Sequence, residues 1–201
     1  MSGTLLTLTA VAALLSVVGC ANSWDPLGDY EQVAPAAVSE TPDPAQSAYP
    51  AEQVQHGRYL VGLLGCGHCH TDGALIGEPD TTRLLAGSSV GIAWSNPLEV
   101  RNPGIVFPSN LTPDPQTGIG DWSVWQIVAM LQSGVDDHGG RPLPVMPRVA
   151  YSKLKTEDAT AIAMYLKSLP AVEHKVPANV KPGRRARSPF IYFGVYRSAS
   201  E

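Results

Sequence analysis

Cys66-Gly67-His68-Cys69-His70 is the stretch of sequence that decides the fold. Two cysteines separated by two residues and followed at once by a histidine are the pattern of covalent c-type haem attachment. On one helical turn the two thiols can reach the two vinyl groups of one haem, and the next imidazole can bind the iron. The motif therefore predicts one covalent haem held by Cys66 and Cys69, with His70 as the proximal ligand and His68 away from the metal.

Two other uses of a cysteine pair fit this sequence less well. A thioredoxin-like redox pair follows a strand in a βαβ unit, and no such unit is predicted before this motif. A zinc site needs two further ligands at usable spacing, and the downstream histidines His138 and His174 are poorly spaced for that purpose. The sequence therefore favours haem over a redox pair or a zinc ion.

The second axial position of the iron has candidates among the methionines and histidines of the mature chain. They are Met130, Met146, Met164, His56, His138 and His174. Two of the methionines lie in amphipathic segments, where core packing explains them. Met146 lies in a stiff loop between Pro144 and Pro147, which can aim its side chain. We expect Met146 to be the distal ligand, a thioether that raises the reduction potential, with His138 or an open site as the alternatives.

Apolar residues at helical spacing predict three helices around the motif. The first covers residues 51–64, the second begins at an N-cap, Asp121 or Ser123, and the third is capped by Thr156. Gly65, Gly134 and Pro170 are the expected helix ends. The expected buried positions are Val54, Leu60, Val61, Leu64, Val124, Ile127, Val128, Leu131, Ile162, Tyr165, Leu166 and Leu169. Residues 71–120, rich in glycine and proline, are predicted to be mostly loop.

The N-terminal region predicts export. Residues 5–18 form an apolar run that is too short to span a bilayer, and the run leads into Val17-Val18-Gly19-Cys20. This ending resembles a bacterial lipoprotein signal, in which residues 1–19 are removed and Cys20 carries the lipid; an ordinary signal with an incidental cysteine is the alternative. Residues 21–50 contain five prolines, five acidic residues and no basic residue, so residues 20–50 are interpreted as a lipid anchor and Pro-rich tether.

Composition and charge indicate what the chain can bind and how its C-terminal residues differ from the rest. The 201 residues have a net charge of −4, which gives no argument for nucleic-acid binding. Aromatic residues make up only 7%, and a covalent haem would complete such a thin core. Residues 1–170 carry 8 basic and 16 acidic residues, whereas residues 171–201 carry 6 and 2. Residues 173–201 are therefore interpreted as a basic aromatic tail that either packs on the domain or docks a redox partner or anionic lipid headgroups.

The order of these elements resembles a class I cytochrome c. That fold is mainly α, with a few helices and long loops wrapped around one covalent haem. Residues 109–123, which include Asn110-Leu111-Thr112-Pro113-Asp114, are more closely similar to the cytochrome c domains of bacterial membrane-bound alcohol and aldehyde dehydrogenases. Residues 143–147 and 156–170 continue the similarity, which covers one monohaem domain at residues 51–172. Subunits of that family often carry two or three haem domains, whereas this chain has one motif.

The resemblance implies a role for each site residue. Cys66 and Cys69 would hold the single haem c, and His70 and Met146 would bind its iron. Gly57 and the Tyr59–Val61 segment would meet Tyr165 where the terminal helices cross.

A one-electron carrier is the function that the resemblance implies. Such a protein is not itself an enzyme; it relays electrons from a periplasmic or membrane-bound dehydrogenase to a cytochrome or oxidase acceptor, on the periplasmic side of a bacterial membrane. The sequence has no evident grouping of nucleophile, base and oxyanion donors. The alternative is a haem protein with an open or labile sixth site that acts as a small-ligand sensor or a peroxidase-like enzyme.

Overall fold

The computed structural model describes residues 41–45, 47–134 and 145–194. Its helices are α1 (Ala51–Leu63), α2 (Gly67–His70), α3 (Val124–Ser133), α4 (Arg148–Tyr151) and α5 (Thr156–Lys167), and its strands are β1 (Gly91–Ala93), β2 (Ile105–Val106) and β3 (Phe190–Tyr192). Two 3-10 turns, Ala74–Ile76 and Thr81–Arg83, follow α2. The predicted signal peptide, Cys20, residues 21–40, His138, Pro144 and residues 195–201 lie outside the described residues.

This part of the chain is mainly helical, as expected, and it also contains one small sheet that was not predicted. Residues 71–120 are largely loop, as the glycine and proline content indicates, although β1 and β2 lie within them. Among the helices in the described ranges, none is both long and apolar enough to cross a membrane.

The main core forms where α1 crosses α5. Val54 and Val61 of α1 are buried in one cluster with Tyr165 of α5. At the crossing, a Cβ on Gly57 would overlap the carbonyl of Ala161 and crowd the Cβ of Tyr165. The two helices therefore come this close because Gly57 has no side chain. The expected contact between Gly57 and Tyr165 is confirmed, whereas Tyr59 is 63% exposed.

Two glycines of α1 allow a matched test of this crossing. Gly57→Ala should lower the free energy of unfolding by about 1–3 kcal/mol, because the added methyl group has no room. Gly62→Ala meets only Thr41 Cγ2, at 3.4 Å, and should be neutral or stabilise the helix by up to about 1 kcal/mol. Guanidinium unfolding of the two haem-loaded variants measures the difference. Equal effects at the two positions would contradict the packing argument.

Both ends of α3 agree with the sequence prediction. Of the two N-cap candidates, Ser123 is the one used: its hydroxyl accepts the Gln126 N–H at 3.2 Å, and the Gln126 side chain accepts the Ser123 N–H at 2.8 Å. At the other end, Gly134 takes the left-handed conformation, with φ of 68°. Ile127 and Val128 form the buried face, as predicted.

The start of α5 differs from the prediction by one residue. Thr156 is the first helical residue rather than the N-cap, and Lys155 occupies the cap position without a side-chain hydrogen bond. Glu157 and Asp158 lie in the first turn, where carboxylates favour the positive end of the helix dipole. Charge therefore supports this helix end in place of a capping hydroxyl.

The C-terminal tail completes the small sheet. β1 pairs antiparallel with β2 and parallel with β3, in the order β2-β1-β3. A second apolar cluster lies beside it, with members from the loop and from the tail. These are Ala93, Ile105, Phe107, Val176, Val180, Ala186, Phe190 and Tyr192. Of the two interpretations of the tail, packing on the domain is the one that residues 176–192 adopt.

Residues 41–45 and 47–50 also contact the domain, although they precede its predicted start at residue 51. The Tyr165 hydroxyl donates to the Pro42 carbonyl at 2.7 Å, and Arg58 forms an ion pair with Asp43 at 2.7 Å. Proline lacks an N–H but keeps its carbonyl, so a Pro-rich segment can still accept hydrogen bonds from the core. The packed region therefore begins earlier than expected, and the tether predicted for residues 20–50 is too long by the residues from 41 onward.

Candidate haem-attachment site

The cysteine motif forms a single helical turn that follows α1 after a short connection. Gly65, with φ of 66°, allows the chain to leave α1 and enter α2 almost at once. The Cys66 carbonyl accepts the His70 N–H at 3.0 Å, which closes the turn. Cys66 and Cys69 are three residues apart on this turn and therefore lie on neighbouring positions. One group that bridges both sulfurs can be held here.

Both thiols are free and half-buried. Burial raises the pKa of Cys66 to about 11 and also raises that of Cys69, so both sulfurs are neutral at physiological pH. The buried Tyr151 of α4 lies close enough to Cys66 to affect the pKa of its thiol. Neutral, unpaired sulfurs in a partly apolar setting fit the covalent attachment of a large apolar cofactor.

His70 is oriented by a backbone carbonyl. Its Nδ1 lies 2.7 Å from the carbonyl oxygen of Ser109, and because that oxygen can only accept, Nδ1 carries the proton. Burial lowers the pKa of His70, although the Ser109 hydrogen bond opposes the effect, so the neutral ring is favoured. A neutral imidazole with Nδ1–H donated keeps the Nε2 lone pair for a metal, the usual arrangement of a ligating histidine. The ring therefore fits the role of an iron ligand.

A buried amide fixes the segment that carries the Ser109 carbonyl. Asn110 is 1% exposed, and its Nδ2 donates to the Val172 carbonyl at 2.8 Å and to Thr117 Oγ1 at 3.0 Å. Its Oδ1 accepts the N–H and the hydroxyl of Thr112, at 2.9 and 2.8 Å. Asn110 thus joins the loop next to His70 to Val172, the residue just before the tail. The resemblance to dehydrogenase cytochromes includes residues 110–114, and the hydrogen bonds of Asn110 give this segment a physical role.

An Asn→Ala pair tests how much this buried amide contributes. Asn110→Ala removes four hydrogen bonds of a buried amide, and we expect a loss of about 2–4 kcal/mol in the free energy of unfolding. Asn179→Ala is the control, since the exposed Asn179 accepts one bond, from Phe107 N at 2.9 Å, and should cost about 1 kcal/mol. Guanidinium unfolding followed at the haem absorbance compares the two. A smaller loss at Asn110 than at Asn179 would contradict the network argument.

The predicted distal ligand lies beside α4. Met146 is half-buried, and the carbonyl of the next residue, Pro147, accepts the N–H groups of Ala150 and Tyr151 at 3.0 and 3.1 Å. Tyr151 in turn lies close enough to Cys66 to affect the pKa of its thiol. The Met146 segment is thus linked to the cysteine motif through α4, and ligation by Met146 itself stays a prediction.

The other candidates for the sixth ligand have different surroundings. His56 is exposed and lies 2.8 Å from Asp158, and His174 Nδ1 lies 2.8 Å from the Ala86 carbonyl. Met130 and Met164 are half-buried in α3 and α5, as core packing predicts. His68 is exposed beside the Gly65 carbonyl, at 3.2 Å. Each of these described histidines therefore has a local partner at one ring nitrogen, as His70 does.

Sequence reasoning missed a polar cluster just after the motif. Asp72 accepts the N–H and the hydroxyl of Ser89 at 2.7 and 2.6 Å, and His174 Nε2 and Arg83 lie 3.7 and 3.5 Å from its other oxygen. Burial opposes ionisation of Asp72, but the Ser89 bonds and the nearby charges outweigh it and lower the pKa of this carboxyl below its usual range. The ionised Asp72 carboxylate therefore stabilises the folded state at neutral pH, and this contribution is lost as the pH falls through the lowered pKa of Asp72. No spacing rule connects these distant residues, so only the fold reveals them.

Known proteins match the chain over this region. No protein-family model matches it. The fructose dehydrogenase cytochrome subunit of Gluconobacter japonicus is 35% identical over 118 residues, which is 57% of this chain and 22% of the relative. The alcohol dehydrogenase (quinone) cytochrome c subunit of Gluconacetobacter polyoxogenes is 31% identical over 137 residues, which is 68% of this chain and 25% of the relative. A diheme cytochrome c-type protein of Cereibacter sphaeroides is 38% identical over 128 residues, which is 61% of this chain and 38% of the relative.

The chain is thus much shorter than these curated relatives, of which it spans between 22% and 38%.

Proposed function

Because the chain is related to the cytochrome c subunits of bacterial membrane-bound dehydrogenases, we propose that it is a one-electron carrier with a single covalent c-type haem. When bound, the haem supplies one-electron oxidation and reduction of its iron. The observation that carries the proposal is the pair of free thiols on one turn with His70, whose Nδ1–H is donated to Ser109.

The residues of the chain have separate tasks in this proposal. Cys66 and Cys69 fix the cofactor covalently, and the Ser109 carbonyl holds the ring of His70 in the tautomer that presents Nε2. Met146 would fill the distal position, so that no substrate would reach the iron and the protein would transfer electrons only. One haem is proposed because the 201 residues contain one Cys-x-x-Cys-His motif.

The proposed partners and location follow from the relatives and the N-terminal sequence. The donor is a periplasmic or membrane-bound dehydrogenase, and the acceptor is a respiratory cytochrome or oxidase. Residues 1–19 act as the signal, and lipidated Cys20 with the tether of residues 20–40 holds the domain at the periplasmic side of a bacterial membrane. The apolar run, the Gly19-Cys20 junction and the proline content support this proposal.

Haem stoichiometry and ligand access together test the function. The exported full chain should contain one haem per polypeptide by pyridine haemochrome assay, and its reduced form should not bind carbon monoxide over minutes. Rapid carbon monoxide binding would contradict the carrier and favour the sensor or peroxidase-like alternative. More than one haem per chain would contradict the single attachment site.

A further inference from the structure

A cluster of cations projects from the tail between two anchored segments. Lys181, Arg184, Arg185 and Arg187 are all exposed, and residues 174–194 contain no acidic residue. None of the four forms an ion pair with any residue in the described ranges. We call residues 181–187 the basic loop. Its charge contrasts with that of residues 1–170, which carry 8 basic and 16 acidic residues.

The basic loop is held in place at its base and also at Gly183, whose N–H donates to the Asn102 carbonyl at 2.8 Å, while its four cations are exposed. Before it, Val180 and Ile105 exchange two backbone hydrogen bonds of 2.8 Å, and after it β3 joins β1. At the tip, Arg184 N–H donates to the Lys181 carbonyl at 3.1 Å across Pro182-Gly183, and Gly183 has φ of 83°. A Cβ on Gly183 would meet nothing within 4 Å. The loop is therefore a convex turn on a rigid base.

Two exposed aromatic residues follow the strands that support the loop. β1 and β3 are parallel with Ala93 opposite Tyr192, so Trp94 and Phe193 come next at the same end of the pair. Trp94 is 43% exposed and Phe193 is 74% exposed, although both are large and apolar. Trp94 N–H donates to the Gly104 carbonyl at 2.9 Å, and the loop residue Gly183 donates to Asn102, two residues before Gly104, so Trp94 lies near the loop. Exposed aromatic residues near cations are typical of surfaces that enter the headgroup region of a bilayer.

We propose that the basic loop, together with Trp94 and Phe193, binds the anionic headgroups of a lipid bilayer. Arginine matches phosphate with two parallel hydrogen bonds, and three of the four cations are arginine. A convex turn can touch a flat lipid surface, whereas a stable protein interface needs roughly 800 Å² of complementary surface on each side. Basic residues near such a surface add about a fivefold gain in partitioning each. The inference does not depend on the proposed electron-transfer function.

Covalent footprinting on the haem-loaded full chain tests this surface, whether or not Cys20 is lipidated. The protein is mixed with vesicles of phosphatidylcholine alone or with phosphatidylglycerol added. Phenylglyoxal labelling of the three loop arginines and hydroxyl-radical labelling of Trp94 and Phe193 are then read by mass spectrometry. We expect labelling to slow at least threefold on the phosphatidylglycerol vesicles only. Trp125 and Tyr59, which are 67% and 63% exposed, should label equally on both.

A pair of charge reversals provides the matched control. Arg184→Glu/Arg187→Glu should abolish the protection, while Lys153→Glu/Lys155→Glu, which changes two exposed lysines elsewhere, should retain it. Salt near 1 M should abolish the protection of the unmodified chain from labelling, since the screening length is then about 3 Å. Unchanged haem absorbance shows that the variants fold. Equal protection on both vesicle types, or protection by an acidic redox partner but not by lipid, would overturn the proposal.

Discussion

Cys66→Ala/Cys69→Ala should abolish covalent haem completely. The two sulfurs are unpaired, neutral and on one turn, and no other described cysteine could replace them. Because a covalent haem is expected to complete a core with few aromatic residues, its loss should also leave much less folded protein in the periplasm. Haem staining after denaturing electrophoresis measures the covalent fraction, and immunoblotting measures the amount of protein. Single Cys→Ala variants should retain part of the stain, through one remaining bond.

Cys20→Ala is the matched control for the loss of a cysteine. It should retain the haem stain, because Cys20 is expected to serve membrane attachment rather than haem binding. A double variant at positions 66 and 69 that still stains for haem would contradict the assignment of the attachment site.

Met146→Leu should give the second large effect. Leucine keeps the apolar volume but offers no ligand, so the distal position should open and the reduced protein should bind carbon monoxide. The reduction potential should fall by on the order of 100 mV, within the span of about 0.8 V that axial ligands cover. Optical spectra of the ferric and ferrous forms and a redox titration measure both effects.

Two other methionines serve as controls for this substitution. Met130→Leu and Met164→Leu change half-buried residues of α3 and α5 at nearly constant volume, and each should cost less than about 1.5 kcal/mol of stability without altering the spectrum. If Met146→Leu leaves the ferric spectrum and the potential unchanged, Met146 is not the ligand, and His138 becomes the next residue to change.

Local rules predicted the helices well because their signals lie close together in sequence. Ser123 and Gln126 are three residues apart, and Gly134 directly follows the last turn of α3, so both ends could be identified without the fold. Gly57 was expected at the α1–α5 crossing from the resemblance, and the structure supplies the reason: a side chain there would overlap the carbonyl of Ala161.

Contacts between distant residues were not predictable in the same way. β3 pairs with β1 across nearly a hundred residues, and neither strand exceeds three residues, so alternation gave no signal. The Ser109 carbonyl that orients His70 could not be predicted from the sequence either, because every residue has a backbone carbonyl. The same holds for the cluster around Asp72, which only folding assembles from three separate segments.

A spectroelectrochemical titration of the purified full chain tests the one-electron carrier most directly. The haem absorbance should follow a single Nernst curve with one electron per polypeptide, and repeated oxidation and reduction should return the same spectra without ligand binding. Two resolved transitions, a slope that departs from one electron, or a reduced form that reacts with carbon monoxide would contradict a single haem whose two axial positions are both filled by the protein.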